Sequence, residues 1–241
     1  MANHVLLNNI DHKDLHVQTA RGAGFGDDVM SALTFPSEFR DIQACYPIVF
    51  RQAADGSYEA HALFGLQDGE NLFLGQHGWD APYLPLSIAR QPFLIGINGT
   101  ELMVHVDLDH PRIGRSAGAG DGGSEPLFRP HGGTSEYLER VSSTLLAIHQ
   151  GLQQAGGFLA ALQEHQLLEP FVLDIELDDG TPYRLAGCHT INEERLAALP
   201  GAALENLHRA GYLQPIYMVL ASISNFRTLI ERKNRRHAGR C

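Results

Sequence analysis

Two spacings in the sequence bring together side chains that could do chemistry. The first is His105-x-Asp107. Side chains alternate along a strand, so these two share a face. A histidine and a carboxylate in this spacing are how a metal-binding facial triad begins in non-haem iron oxygenases. His131, His165 or His189 would supply the third ligand. The competing reading is a solvated strand face, which carries His and Asp for solubility. With thirteen histidines in the chain, such a pair also arises readily by chance. The second spacing is Trp79-Asp80, followed by Tyr83 and Arg90. Aromatic rings beside a carboxylate and a guanidinium can grip a sugar, a peptide or a flat ligand. The competing reading is packing, with Trp79 and Tyr83 plugging the edge of a β core and Arg90 pairing with Asp80.

Other reactive groups carry less. Cys188 and His189 are adjacent on a predicted strand, so their side chains point to opposite faces and cannot pair. Cys188 reads as a small buried residue. Asp178-Asp179 falls in a turn, where aspartates are expected anyway. The spacing of Cys45, Cys188 and Cys241 fits neither a disulfide framework nor a structural zinc site, and no cofactor is indicated.

The formal charge of −10 argues against nucleic acid as a partner, because an acidic surface repels phosphate backbones. Basic residues crowd the last positions: Arg227, Arg232, Lys233, Arg235, Arg236 and Arg240. They read as a solvated helix end, where cations also suit the helix dipole. The first nine residues lack the charge and apolar run of a secretory signal. No eighteen-residue apolar window exists; the best stretch, 213–223, is interrupted by Gln214 and Pro215. The expectation is a soluble, cytoplasmic protein without a transmembrane segment.

The elements that would position these groups form an α+β chain, mainly antiparallel β in its N-terminal half and helix-rich with a β-hairpin in its C-terminal half. From Cys45 to Leu108 the signals are β, with hairpin turns at Asp68-Gly69 (before a strand at 71–74) and at Asn98-Gly99. Leu102, Val104, Val106 and Leu108 share one strand face. RGAGFGD at 21–27 falls short of a dinucleotide fingerprint and reads as a turn. Residues 114–134 are glycine-rich and read as a loop or linker between a β-rich portion, 1–113, and a helix-rich portion, 135–241. These are two domains or one continuous core.

Leu138, Val141, Leu145, Ile148 and Leu152 recur at steps of three and four, the stripe of an amphipathic helix that Gly156-Gly157 breaks or loosens. Phe171 to Leu177 alternates, Asp179-Gly180 turns, and 183–191 returns as a hairpin. Asn192 reads as an N-cap. Helices at 193–199, 202–210 and 214–233 follow, with Gly211 capping the middle one.

Several segments, read together, resemble the bacterial SapC-like family: Glu38-Phe39, Tyr46-Pro47-Ile48-Val49-Phe50, Leu63-Phe64-Gly65-Leu66, Glu70-Asn71-Leu72-Phe73 and Gly78-Trp79-Asp80-Ala81-Pro82-Tyr83-Leu84-Pro85. Arg90-Gln91-Pro92-Phe93, Leu167-Leu168-Glu169-Pro170, Gly211-Tyr212-Leu213 and Ser224-Asn225-Phe226 follow in the same order. The chain departs from the pattern before the long helix, where Arg129-Pro130-His131-Gly132-Gly133 replaces an acidic-glycine turn. The resemblance implies an accessory or binding protein connected with the cell envelope or nutrient uptake. It also implies a halogenase-like or receptor-associated protein as partner, or a homo-oligomer. It supplies no catalytic residues. The alternative from the residues themselves is a metal-dependent, oxygenase-like enzyme using His105 and Asp107.

Overall fold

The computed structural model describes residues 3–98, 101–115 and 123–239. Their strands are β1 (His4–Leu6), β2 (His16–Gln18), β3 (Ser31–Thr34), β4 (Ile48–Gln52), β5 (Tyr58–Leu63), β6 (Leu74–Gly75), β7 (Gly78–Trp79), β8 (Phe93–Asn98), β9 (Glu101–Asp107), β10 (Ile113–Gly114), β11 (Ser124–Pro126), β12 (Leu168–Glu176) and β13 (Pro182–Ile191). The helices are α1 (Phe39–Ile42), α2 (Leu86–Ala89), α3 (Glu136–Glu164), α4 (Glu193–Ala197), α5 (Gly201–Arg209), α6 (Leu213–Ser222) and α7 (Phe226–Ala238). The fold is α+β. It comprises two compact units. The first holds Met1–Asp28, Leu74–Asp80 and Leu86–Gln150; the second holds Val29–Phe73, Ala81–Pro85 and Gly151–Cys241.

In the first unit, antiparallel sheets run in the orders β1-β9-β8 and β10-β2-β11, beside the small β6-β7 hairpin. β8 and β9 pair from Phe93↔Val106 to Asn98↔Glu101, so the hairpin expected there forms; Gly99 and Thr100 of its turn lie outside the described residues. Alternation sends Phe93 and Val106 into a core with Leu15, Val17 and Leu127, against Leu138, Val141 and Leu145 of α3. At the hairpin's far end the same face emerges, leaving Ile97 66% and Leu102 41% exposed. Within the glycine-rich stretch, β11 pairs with β2 and Leu127 is fully buried, while 116–122 lies outside the described residues. Residues 23–25 of the glycine cluster form a single 3₁₀ turn.

The second unit is built on one five-stranded antiparallel sheet, ordered β12-β13-β4-β5-β3. The late hairpin β12-β13 therefore joins strands from the N-terminal portion, through His189↔Phe50. Its register shifts between Phe171 and Leu173, and Gly187 adopts φ 78° there, a conformation suited to glycine at a bulge. No strand forms at 71–73. Glu70 and Asn71 side chains capture the amides of Leu66 and Phe73, at 3.2 and 2.9 Å, and hold the segment as a buried turn.

The long helix departs from its expected stripe in an instructive way. Gly156-Gly157 does not break it; α3 runs unbroken to Glu164. Leu152 is 40% exposed, and Gly151 is buried in its place. A Cβ at Gly151 would stand 2.2 Å from the Phe35 ring, so glycine lets the ring pack directly on the helix backbone. From there Ala155, Phe158 and Leu162 continue the buried face.

The helix expected over 214–233 is instead two. Ser222 hydroxyl donates to Val219 carbonyl at 2.6 Å and accepts the Ile48 amide at 2.9 Å, and a 3₁₀ turn at 223–225 follows. Back-bonding of this kind bends helices. The Asn192 cap forms as expected, its Oδ1 accepting Arg195 N–H at 2.8 Å.

Candidate functional site

Within the first unit, Trp79 pairs with Leu74 in the β6-β7 hairpin and is partly buried; Asp80 is exposed. Gly78 between them and the hairpin turn adopts φ 99°. Arg90 donates to the Phe93 carbonyl at 2.7 Å, and burial pulls its guanidinium below the usual value. This bond fixes the segment leading into β8, a role that the expected pairing with Asp80 did not anticipate.

Tyr83 belongs to the second unit, where its hydroxyl donates to Glu38 Oε1 at 2.9 Å. Thr34 hydroxyl donates to the other carboxylate oxygen at 2.7 Å, and Tyr46 hydroxyl donates to the Tyr83 carbonyl at 2.5 Å. Glu38 is buried. Burial, and then the adjacent Glu38 carboxylate, push the Tyr83 phenol far above its usual value, so it remains a donor at neutral pH. A carboxylate gripped by two hydroxyls is a fixed acceptor, and this one locks the 81–85 loop to α1. Cys45 lies nearby in the chain, its thiol pushed up chiefly by burial.

Two buried ion pairs escaped the sequence reading. In the first unit Asp27, fully buried, accepts Arg112 Nη2 at 2.5 Å, Gly22 N–H at 2.8 Å and Arg21 Nη1 at 3.4 Å. Arg112 also donates to the carbonyls of Gln18 and Ala20 and stacks 4.8 Å over Phe25. Arg21 reaches the Ile88 carbonyl at 3.1 Å, and burial, then Arg112, lower its guanidinium. Tyr137 is pushed up by burial while both arginines pull it back.

In the second unit Lys233 meets Glu70 at 2.6 Å, both buried, and its ammonium lies 4.3 Å over the Tyr183 ring. Arg232 stacks 4.4 Å over Phe73, and Arg236 donates to the Asn71 carbonyl at 2.8 Å. Much of the basic tail is thus turned onto the 70–73 turn rather than into water; Arg240 lies outside the described residues. Helical period is the cause, since 229, 232, 233 and 236 fall on one side of α7.

The SapC family model matches residues 7–229. The chain belongs to the SapC family. No curated protein and no solved structure matches it. Within this SapC chain, Glu38, Tyr46, Glu70 to Phe73 and Tyr83 each hold a partner inside one unit.

His105 and Asp107 lie in β9 of the same SapC chain, on one face as expected. The His105 ring sits on Gly96, where a Cβ would come within 2.1 Å of it. Asp107 Oδ1 accepts the amides of Asn3 and Asp109, at 2.9 and 3.2 Å, and Oδ2 stands 4.0 Å from His4. Among the described residues no three His, Cys, Asp or Glu side chains converge as metal donors. His131 is exposed in the 129–133 turn, and the ring of His189 packs edge-on against Tyr58. Cys188 is buried, as its reading as a small core residue predicts. Among the described residues no helix is long and apolar enough to cross a membrane.

Proposed function

We propose that this SapC family member is an accessory or binding protein that acts through a partner, in a system serving the cell envelope or nutrient uptake. One observation carries the reading. Acidic and aromatic residues in segments that resemble the family pattern brace the chain's own turns: Glu38 takes two hydroxyls, Glu70 takes Lys233, and Tyr83 and Tyr46 clamp one loop. Groups so engaged are committed to holding the fold, which supports a role exercised through the surface. Partners of the kind implied by the family resemblance are halogenase-like or receptor-associated proteins; a second copy of the chain is the alternative.

Native purification without an affinity tag tests this. The expected result is stoichiometric co-elution with such a protein, reproduced when the two purified proteins are mixed, or a defined homo-oligomer. A monomer that elutes alone and fails to bind these candidates on mixing overturns the reading.

A further inference from the structure

In the first unit, a cleft of about 650 Å³ opens beside the β10-β2-β11 sheet. Its walls carry Lys13, His16, Arg115 and Arg129, with Asp14 as the carboxylate among them. The sheet explains the convergence. His16 pairs with Gly114 on one side and Pro126 on the other, so Arg115 and the Phe128-Arg129 segment leave the two flanking strands at the same end. Leu127 N–H donates to Leu15 carbonyl at 3.1 Å and holds that segment against the turn bearing Lys13.

Three full cations thus line one cleft of a protein whose net charge is −10. Like charges gathered in one cleft repel one another, and an anion bound between them relieves that repulsion. Arg129 reaches Glu139 at 3.7 Å, but both side chains are more than half exposed, so that pair is weak. Among the described residues Lys13 and Arg115 form no ion pair.

We infer that this cleft binds the phosphate group of a small phosphorylated ligand. Two arginines and a lysine outnumber the single charge of a carboxylate and match a phosphate dianion, for which guanidinium forks have the right geometry. The volume exceeds that of a phosphate and lies in the range of small-ligand sites. Pro126, Phe128 and Pro130 supply an apolar wall for the rest of the molecule. The site is independent of the accessory-protein reading, and its test can fail while a partner still co-elutes.

The test is calorimetric titration of the full chain with pyrophosphate at low salt. One saturable site is expected, weakening as salt screens the cleft. Affinity should fall at least tenfold in an Arg115→Ala, Arg129→Ala double variant and rise a few-fold in Asp14→Asn. Arg227→Ala, on exposed α7 surface, should leave it unchanged. A melting curve establishes that the double variant is folded, and Arg115→Gln alone replaces it otherwise. Sedimentation with phosphatidic acid vesicles separates the two sources of the group. Vesicle binding with the same arginine dependence identifies a lipid headgroup; pyrophosphate binding without vesicle binding identifies a free small ligand. Absence of saturable binding to either probe, or binding indifferent to Arg115 and Arg129, overturns the inference.

Discussion

The two units each bury an ion pair, and they use it differently. Arg112 of the first unit gives its guanidinium to Asp27, to the carbonyls of Gln18 and Ala20, and to the face of Phe25. It organises a stretch that has little regular structure of its own. Lys233 of the second unit makes one strong contact with Glu70 and rests on Tyr183, pinning an already formed helix to a turn. A planar fork serves where loose backbone must be gathered, and a point charge where two preformed elements need one bolt. The comparison separates charges that create a local structure from charges that join structures.

Breaking either pair from one side should have the largest effect. Asp27→Ala and Lys233→Met each leave a buried charge uncompensated and should cost about 3–5 kcal/mol in urea denaturation. The double replacements then sharpen the contrast. Glu70→Leu with Lys233→Met should return to within about 1 kcal/mol of the parent or exceed it. Asp27→Leu with Arg112→Met should stay well below, because the Gln18 and Ala20 carbonyls lose their donor. Equal recovery of the two doubles would erase the distinction.

Next comes Gly65→Ala. Its Cβ would lie 2.2 Å from the Glu70 carbonyl oxygen, and the strain should cost about 1–3 kcal/mol, read from the same denaturation midpoints. Asn192→Ala touches neither pair and should cost about 1 kcal/mol, the value of one helix cap. The smallest effect near neutrality is the titration of Tyr83. Its folded phenol is held above the unfolded value, so its contribution is intact at neutral pH. It declines as pH rises past about 10, where the unfolded phenol ionises first. Denaturation midpoints of the parent should therefore fall more steeply above that pH than those of Tyr83→Phe.

Much of the fold was legible in the sequence because it is local. The alternation of 101–108, the Asp179-Gly180 turn, the Asn192 cap and the first half of the α3 stripe each depend on neighbours a few positions apart. What was not legible depends on distant partners. Nothing around Lys233 distinguishes it from Arg227, yet one is buried on Glu70 and the other faces solvent. Asp27 and Arg112 likewise carry no local mark. Asn71 to Phe73 has the apolar content of a strand but a turn's hydrogen bonding, supplied by side chains of Glu70 and Asn71. The Trp79 segment was recognisable as special, and the bonds made by Tyr83 and Arg90 came only with the structure.

The pairing of Phe50 with His189 has a consequence in time. At about 5–20 residues per second of synthesis, β4 waits on the order of ten seconds for β13 to leave the ribosome. Until then the Ile48-Val49-Phe50 edge stands open, an apolar strand with unpaired amides and carbonyls. A chain truncated within α3 lacks β13 altogether, so its β4 edge has no strand to cover it and is a predicted site of aggregation.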